Sequence, residues 1–327
     1  MNFRSSLSLA CLLTLLGVTT LPGQNKLDLV RLGNLKFAHY GAVSYMKELG
    51  PKYGLEVKEQ IFPKGIDIIP AIISGNIDLS ASALDAAIAG RAQGAPIFAV
   101  AGFSKGGVRI VGRADLNLSS VADLKGKKVG VARGGAQELC LFAELAKNHL
   151  TWSDQAGKDI RIFYLAYADL NQALQQKQID AMCQSEPQST QAIAAGFGKE
   201  IIKPYDTPIG KPIRVLVMTE KMYREKPDLA QRVLECFVEA TRKFIAEPET
   251  AQKYVRGSLF GNSLSAKDYE DAMQNAEFTY DLTIDHVQTT TDLMQQYGVG
   301  RLATAPKAND WVKLDLIAKA KEKVGIH

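Results

Sequence analysis

Short apolar segments alternate with segments of helical period along most of this chain. LVRLGNL (29–35) and LEVKEQIF (55–62) have the pattern of strands, and each precedes an amphipathic segment. A helical tail follows a further strand pattern, IRVLVMT (213–219), and includes predicted helices at Asp228–Ala246, Ala266–Tyr280 and Trp311–Val324. Strand patterns that alternate with helical patterns predict an α/β fold.

The alternation predicts two lobes. A polar connection at 115–125 precedes a second series of strands and helices, so a unit at roughly 115–210 is inserted into another unit. We therefore predict a discontinuous lobe 1 (25–114 plus 211–327) and an inserted lobe 2 (115–210). The two crossings form a hinge with a cleft, and open α/β sheets bind small ligands in such clefts.

The first 24 residues have the pattern of a secretory signal peptide. Arg4 supplies a short positive region, and Leu7–Val18 is an apolar run of the length typical of such signals. The run is too short to span a bilayer, which takes about 20 apolar residues. A buried N-terminal helix is the alternative. Cys11 lacks a good lipobox, so we expect a mature chain that is periplasmic and carries no lipid anchor.

Composition and spacing argue against several other classes. The formal net charge is +4, with both signs interspersed, so nucleic acid is not an expected partner. Cys140, Cys183 and Cys236 are odd in number and far apart, which does not indicate a disulfide framework. The four histidines lack metal-ligand spacing, and we expect neither a metal nor a cofactor.

The stretch DLKGKKVGVARGGAQE (123–138) has a strand pattern, two glycines and the start of a helix. A nucleotide-binding loop needs its Gly-Lys-Ser/Thr after the strand, and here Gly126-Lys127 precedes it. What remains is a helix N-terminus, whose free N–H groups favour negative charge. The candidate ligand-binding groups are therefore the following: Arg133, the amides of Gly134, Gly135 and Ala136, and the side chain of Gln137. An ordinary capped helix and a surface arginine are the alternatives.

The order and spacing of several motifs resemble a known family. The motifs are YGLEVK (53–58), GIDIIPAIISGNIDLSAS (65–82), GAPIFAVAGFSKGGVRIVGRAD (94–115), SSVADLKGKKVGVARGG (119–135) and ADLNQALQQKQIDAMCQSEPQ (168–188). Together they resemble the periplasmic solute-binding proteins of ABC importers for nitrate, sulfonates, taurine and thiamine-pyrimidine precursors. The resemblance implies a type II periplasmic-binding fold that closes over one ligand without catalysis. The implied partners are a small polar or planar organic molecule and a permease in the cytoplasmic membrane, and we expect a monomer.

In this family the cleft is lined by loops at strand ends. After the first strand, Phe37, His39 and Tyr40 offer rings that can stack on a planar ligand; hydrophobic cover for the next helix is the alternative. Ser80 and Ser82 offer hydroxyls at the end of IDLSAS, where one can equally be an N-cap.

Glu186-Pro187 matches the Glu-Pro loop that the family has at the cleft. A carboxylate there suits a ligand that donates hydrogen bonds, such as an aminopyrimidine. The alternative is an acid in the first turn of a helix, stabilised by the helix dipole.

Two other functions compete with capture and delivery. An exported sensor of the same fold would have the same mature sequence features. The fungal thiamine-pyrimidine synthases share the architecture, but they carry a cysteine-rich cluster and a lysine for pyridoxal phosphate, whereas this chain has only Cys183 near that region. GVGRLA (298–303) fits a dinucleotide fingerprint by letters alone, since a helical run precedes it, where the fingerprint needs a strand.

Overall fold

The computed structural model describes residues 26–326, so the predicted signal peptide lies outside the described residues. The strands are β1 Asp28–Leu35, β2 Leu55–Phe62, β3 Leu79–Ala83, β4 Ile97–Gly106, β5 Val108–Arg113, β6 Lys128–Val131, β7 Trp152–Ser153, β8 Ile160–Tyr164, β9 Ala181–Ser185, β10 Gly198–Ile202, β11 Ile213–Thr219 and β12 Ala276–Phe278. The helices are α1 Gly41–Leu49, α2 Ile68–Ile73, α3 Leu84–Ala92, α4 Ala136–Lys147, α5 Tyr167–Gln175, α6 Gln188–Ala194, α7 Glu220–Glu225, α8 Pro227–Ala246, α9 Pro248–Tyr254, α10 Ala266–Gln274, α11 Ile284–Tyr297, α12 Ala308–Trp311 and α13 Asp315–Val324.

The strands form two six-stranded sheets. The first has the order β12-β4-β11-β3-β1-β2, and the second has the order β10-β5-β9-β6-β8-β7. In the first sheet β1 runs parallel to β2 and β3, while β11 runs antiparallel between β3 and β4. Both β3 and β4 are buried almost throughout, as expected for strands covered on both faces. The predicted α/β fold with two lobes is confirmed.

The first chain crossing lies earlier than the sequence predicts. We predicted that residues up to 114 belong to lobe 1, but β5 pairs with β9 and β10 in the second sheet. The chain therefore crosses at Gly106 and Gly107, whose φ angles are +77° and +74°, values that favour glycine. A strand pattern contains no information about its partner sheet, which explains the error. Below, the first lobe means 26–106 with 213–326, and the second lobe means 108–202.

Two helix predictions in the C-terminal part are wrong in extent. The helix predicted from Ala266 to Tyr280 ends at Gln274, and β12 then pairs with the edge of β4. The helix predicted over 311–324 is interrupted, because Val312 forms a parallel bridge to Ala99 before α13 begins. In both places pairing with β4 overrides local helix preference. None of the helices within residues 26–326 has the length and apolar character needed to cross a membrane.

The remaining cysteines are structural. Cys140, Cys183 and Cys236 are buried free thiols. Burial raises the pKa of Cys140 and of Cys236 to about 12 and that of Cys183 well above its usual value. All three thiols are therefore neutral at physiological pH and poor nucleophiles.

We predict that Gly107→Ala destabilises the protein more than Gly94→Ala does. Both glycines have positive φ, +74° and +86°, so both variants incur a backbone cost of about 1–2 kcal/mol. At Gly107 a Cβ atom would also lie 2.9 Å from Cε1 of His39, whereas at Gly94 nothing lies within 4 Å. The expected difference in the free energy of unfolding is about 1–3 kcal/mol, measured by urea denaturation. Equal losses would show that the His39 contact adjusts freely.

Candidate functional site

The aromatic loop after β1 packs against both lobes. The Phe37 and His39 rings are stacked with centroids 5.8 Å apart, and Tyr40 meets Phe103 edge-on at 4.7 Å. Phe37 also meets Tyr167 of the second lobe edge-on at 5.2 Å. All three predicted side chains are buried. The loop thus acts as hydrophobic cover and also lies where the two lobes meet.

His39 is buried, and neither of its ring nitrogens has a hydrogen-bond partner within residues 26–326. Burial, assisted by the charge of Arg214, lowers its pKa well below the usual value, so the imidazole is neutral at physiological pH. A neutral, unpartnered imidazole in this position has hydrogen-bonding capacity left for a ligand.

The end of β3 brings two more buried hydroxyls to the same region. Ser82 donates from Oγ to the carbonyl of Ala83 at 3.1 Å, while Oγ of Ser80 has no partner in the described part of the chain. Ala83 is the N-cap residue of α3 and provides no side-chain cap. Ser80 therefore has an unused donor and acceptor, whereas Ser82 bonds locally.

Two buried charged residues here, Asp85 and Arg214, were not predicted as site residues. Asp85 is 2% exposed, and neither carboxylate oxygen has a hydrogen-bond partner among the residues that the structure describes. Arg214 is 1% exposed; it donates to the carbonyl of Pro212 at 3.1 Å, and one of its terminal nitrogens has no partner in the same part of the chain. Isolated buried charges are costly. The sequence contained a signal for both buried charges, because Asp85 interrupts the apolar run ALDAAIAG and Arg214 interrupts the apolar run IRVLVMT.

The amide of Gly134 is already bonded within its own lobe. Its N–H donates to Oε2 of Glu138 at 2.8 Å, and Oε1 of Glu138 accepts a hydrogen bond from the Tyr164 hydroxyl at 2.8 Å. A glutamate of the first turn thus occupies a donor that the sequence assigned to an anionic ligand.

The rest of the α4 N-terminus packs tightly. Oε1 of Gln137 accepts a hydrogen bond from the Tyr167 hydroxyl at 3.1 Å. A Cβ atom on Gly135 would lie 1.9 Å from that hydroxyl oxygen, so only glycine allows the tyrosine to approach. Ala136 packs with Ala83 and Ala86 of the other lobe. The N-termini of α3 and α4 therefore meet across the lobes.

Glu186 is fully buried and bonded to protein groups. Its carboxylate accepts hydrogen bonds from Nδ2 of Asn275 at 2.9 Å and from the amide and hydroxyl of Thr190 at 3.1 and 2.9 Å. Nε of Arg109 lies 2.5 Å from Oε1 of Glu186, so the two side chains form an ion pair. The N–H of this nitrogen is not directed at the oxygen. Burial raises the pKa of Glu186, although Arg109 opposes this. The residue lines neither inter-lobe cavity described below.

Arg109 links the two lobes through these same groups. It belongs to β5 of the second lobe, and its NH2 nitrogen lies 2.9 Å from the carboxylate of Asp271 in α10 of the first lobe. The hydroxyl oxygen of Thr190 also lies 2.6 Å from a carboxylate oxygen of Asp271. These residues, with Glu186 and Asn275, form the Arg109 network, which connects the lobes beside the Gly106–Gly107 crossing.

A cavity of about 490 Å³ lies between the lobes. The first lobe contributes the loop at Lys64–Asp67 and the end of α11 with the following turn, and the second lobe contributes Arg133, Gly134, Trp152 and Tyr164 among others. The volume is within the range of small-molecule sites. A second, much smaller cavity of about 10 Å³ is lined by Asp85, Ala136 and His286, among others, and has room for about one water molecule.

Of the predicted site residues, Arg133 and Gly134 line the larger cavity and Ala136 lines the smaller one. The guanidinium of Arg133 lies 3.6 Å from the centroid of the Tyr164 ring and 3.6 Å from the carboxylate of Asp154. Most of the other predicted residues are buried further in, where the lobes touch. In the part of the chain that the structure describes, no three His, Cys, Asp or Glu side chains are arranged to hold a metal ion.

Two α/β lobes joined by two crossings, with a ligand-sized cavity between them, define a periplasmic-binding-protein fold. Residues 23–257 match the model of the NMT1-like family. The chain therefore belongs to the NMT1-like family.

Individual relatives agree with this assignment. A putative ABC transporter periplasmic binding protein of Brachyspira hyodysenteriae is 22% identical over 241 residues, which are 68% of this chain and 67% of the relative. The ligand-binding component of an ABC-type import system from Staphylococcus aureus has a TM-score of 0.77 at 18% identity, covering 90% of this chain and 99% of its own. The alkanesulfonate-binding protein SsuA from Xanthomonas axonopodis pv. citri, bound to MOPS, has a TM-score of 0.75 at 20% identity, covering 88% and 98%. At these identities the structural likeness concerns the fold.

We predict that Asp85→Asn stabilises the protein at high pH. Burial and the charge of Glu138 raise the pKa of Asp85 from 3.8 to about 7. The folded protein therefore holds a proton that the unfolded chain releases between about pH 4 and 7, and stability falls as the pH rises through this range. The parent protein should lose about 4 kcal/mol of stability across it, and Asp85→Asn should not. Urea denaturation at pH 4 and pH 8 measures the difference, with exposed Asp67→Asn as the control. Parallel pH profiles for parent and Asp85→Asn would contradict the assignment.

We predict that Glu186→Gln destabilises the protein by about 3 kcal/mol, because it removes the one fully buried acid among the three that pair with Arg109. Glu200→Gln is the matched control, since Glu200 lies 3.0 Å from the same Arg109 but is 37% exposed. Exposed pairs contribute about 1 kcal/mol or less. Denaturation curves of the two variants test this prediction, and equal losses would show that burial of Glu186 is irrelevant.

Proposed function

We propose that the protein is the extracytoplasmic substrate-binding component of an ABC importer. In this proposal it captures a small polar or planar organic molecule between its lobes and delivers that molecule to a permease in the cytoplasmic membrane. The observation that carries the proposal is the cavity of about 490 Å³ whose walls come from both lobes. The names of the related binding proteins support the importer assignment.

Capture follows from the two-lobe geometry. A ligand in this cavity contacts both lobes only when they are closed, so it binds the closed state more tightly and shifts the population towards it. Phe37 and Tyr167 touch across the lobes, and Ser80, Asp85 and Arg214 are buried with polar atoms that have no partner among residues 26–326. Rearrangement of these groups around part of the ligand would satisfy them. The permease recognises the closed shape, and a monomer suffices for this role.

An enzymatic role on the same fold finds less support. Cys183 is the cysteine nearest the region where the thiamine-pyrimidine synthases carry their cysteine-rich cluster. It is fully buried, and burial raises its pKa well above the usual value. A neutral buried thiol is inert. An exported sensor remains the second candidate, because it requires the same closure and differs only in the membrane protein that reads it.

Closure can be followed with the two tryptophans. Trp152 lines the cavity, whereas Trp311 is fully buried in the first lobe. We expect a captured solute to change the fluorescence of Trp152, to reduce the radius of gyration in small-angle scattering and to raise Tm. A ligand at 100 times its Kd should add about 2.7 kcal/mol of stability. The solutes are sulfonates, taurine, nitrate, bicarbonate, aromatic acids and aminopyrimidines.

Trp311→Phe is the control for this measurement, because Trp311 is buried away from the cavity and its replacement should leave the fluorescence change of Trp152 intact. If no solute of the panel both stabilises and compacts the chain, or if a bound solute is chemically converted, capture and delivery is the wrong function.

A further inference from the structure

The walls of the larger cavity are rich in aromatic rings from both lobes. Trp152 and Phe142 of the second lobe are stacked with centroids 4.8 Å apart at an interplanar angle of 26°. Tyr297 of the first lobe meets Trp152 edge-on at 6.0 Å. Tyr164 completes the wall beside Arg133. We name the cavity bounded by Phe142, Trp152, Tyr164 and Tyr297 the outer chamber.

Three of these four rings are only half-buried, namely those of Trp152, Tyr164 and Tyr297. The apolar surface that they leave in the cleft is favourable to cover, and a flat ring covers it best through stacked or edge-on contacts. Because Phe142 stacks on Trp152, the indole ring is already held in place, and less conformational entropy is lost when a ligand binds.

Two cations of the outer chamber are available to pair with an acidic group of a solute. Glu138 accepts two internal hydrogen bonds, and Asp154 pairs with Arg133. In the described part of the chain, the lining charges without an ion pair or a side-chain hydrogen bond are Lys64, Arg301 and Asp67. The six lining charges, three cations and three acids, sum to zero, so the chamber would attract an acidic group through the unengaged Lys64 and Arg301 and not through a net positive charge.

Size separates this chamber from a site for a very small anion. The chamber has a volume of about 490 Å³, whereas the cavity beside Asp85 has about 10 Å³. An ion the size of nitrate would leave most of the aromatic wall uncovered. A ring with a substituent would fill more of the space and could contact both lobes at once.

We propose that the captured solute is an aromatic acid, a planar ring that bears a carboxylate or a sulfonate. The ring packs against Trp152 and Tyr297, and the acidic group lies near Lys64 and Arg301. This inference rests on the proposed function, since it specifies the chemical class of the solute for the same cleft.

The test is a set of matched probes titrated into the full mature chain by calorimetry. Benzoate is compared with cyclohexanecarboxylate, which has the same charge but no flat ring, and with neutral benzamide. Benzenesulfonate is compared with methanesulfonate and taurine. We expect each aromatic acid to bind roughly tenfold more tightly than its non-aromatic partner and several-fold more tightly than benzamide.

Substitutions test whether the preference for aromatic acids arises from the outer chamber. Trp152→Leu and Tyr297→Leu should each weaken benzoate binding roughly tenfold, while Tyr297→Phe should retain it. Lys64→Gln should weaken benzoate but not benzamide. Tyr280→Leu is the control, because Tyr280 is a half-buried tyrosine outside the chamber. Far-ultraviolet circular dichroism confirms that each variant is folded, and Tyr297→Phe with Lys64→Gln keeps the test decisive if a leucine variant does not fold.

The outcomes separate this inference from the proposed function. If cyclohexanecarboxylate or taurine binds as tightly as the aromatic acids and compacts the chain, or if Trp152→Leu and Tyr297→Leu bind benzoate like the parent, the aromatic-acid assignment is overturned and capture stands. If no probe and no solute of the wider panel binds, both fail.

Discussion

The buried guanidinium of Arg109 is the constraint on which the arrangement of the lobes depends. Its side chain is only 4% exposed, and its charge is balanced by Glu186 and Glu200 of its own lobe and by Asp271 of the other. A buried cation without such partners would cost several kcal/mol. The other lobe supplies the third acid, Asp271, so the ion pairs that stabilise Arg109 also link the lobes beside the glycine crossing.

Asp85 and Arg214 differ from Arg109 in that their buried charged groups are not paired within residues 26–326. Asp85 and Arg214 are as well buried as Arg109, yet neither belongs to an ion pair in the described part of the chain, and both keep unpartnered polar atoms. Groups left in this state lower stability, and such groups cluster where a protein binds ligands or performs chemistry. The contrast therefore separates a network whose charges are paired within the protein from two buried groups that keep unpartnered polar atoms.

How much could be predicted from the sequence depended on whether the signal was local. β2 and β11 have the predicted bounds, because apolar and polar residues in a strand follow the pleat. The assignment of β5 was wrong, because sheet membership depends on partners far away in the chain. For the site, strand ends pointed to the Phe37 loop and Ser80; both are buried and line neither inter-lobe cavity, so their contact with a ligand stays a prediction. Trp152 and Tyr297 were not predicted to line the cleft, because residues so far apart in sequence meet only in the folded protein. The segment GVGRLA was correctly rejected as a dinucleotide motif, yet Gly298, Gly300 and Arg301 line the outer chamber.

The hinge and the outer chamber are built from separate residues. Arg109, Glu186 and Asp271 do not line the outer chamber, and Trp152, Tyr297 and Lys64 do not contact the Arg109 network. Substitutions at sites without shared partners are usually additive in free energy. A change of chamber side chains can therefore alter which solute is bound while the intrinsic balance between open and closed lobes stays the same. This separation gives a physical reason why one two-lobed fold can serve many solutes: closure depends on contacts near the crossings, and selectivity depends on the walls of the cleft.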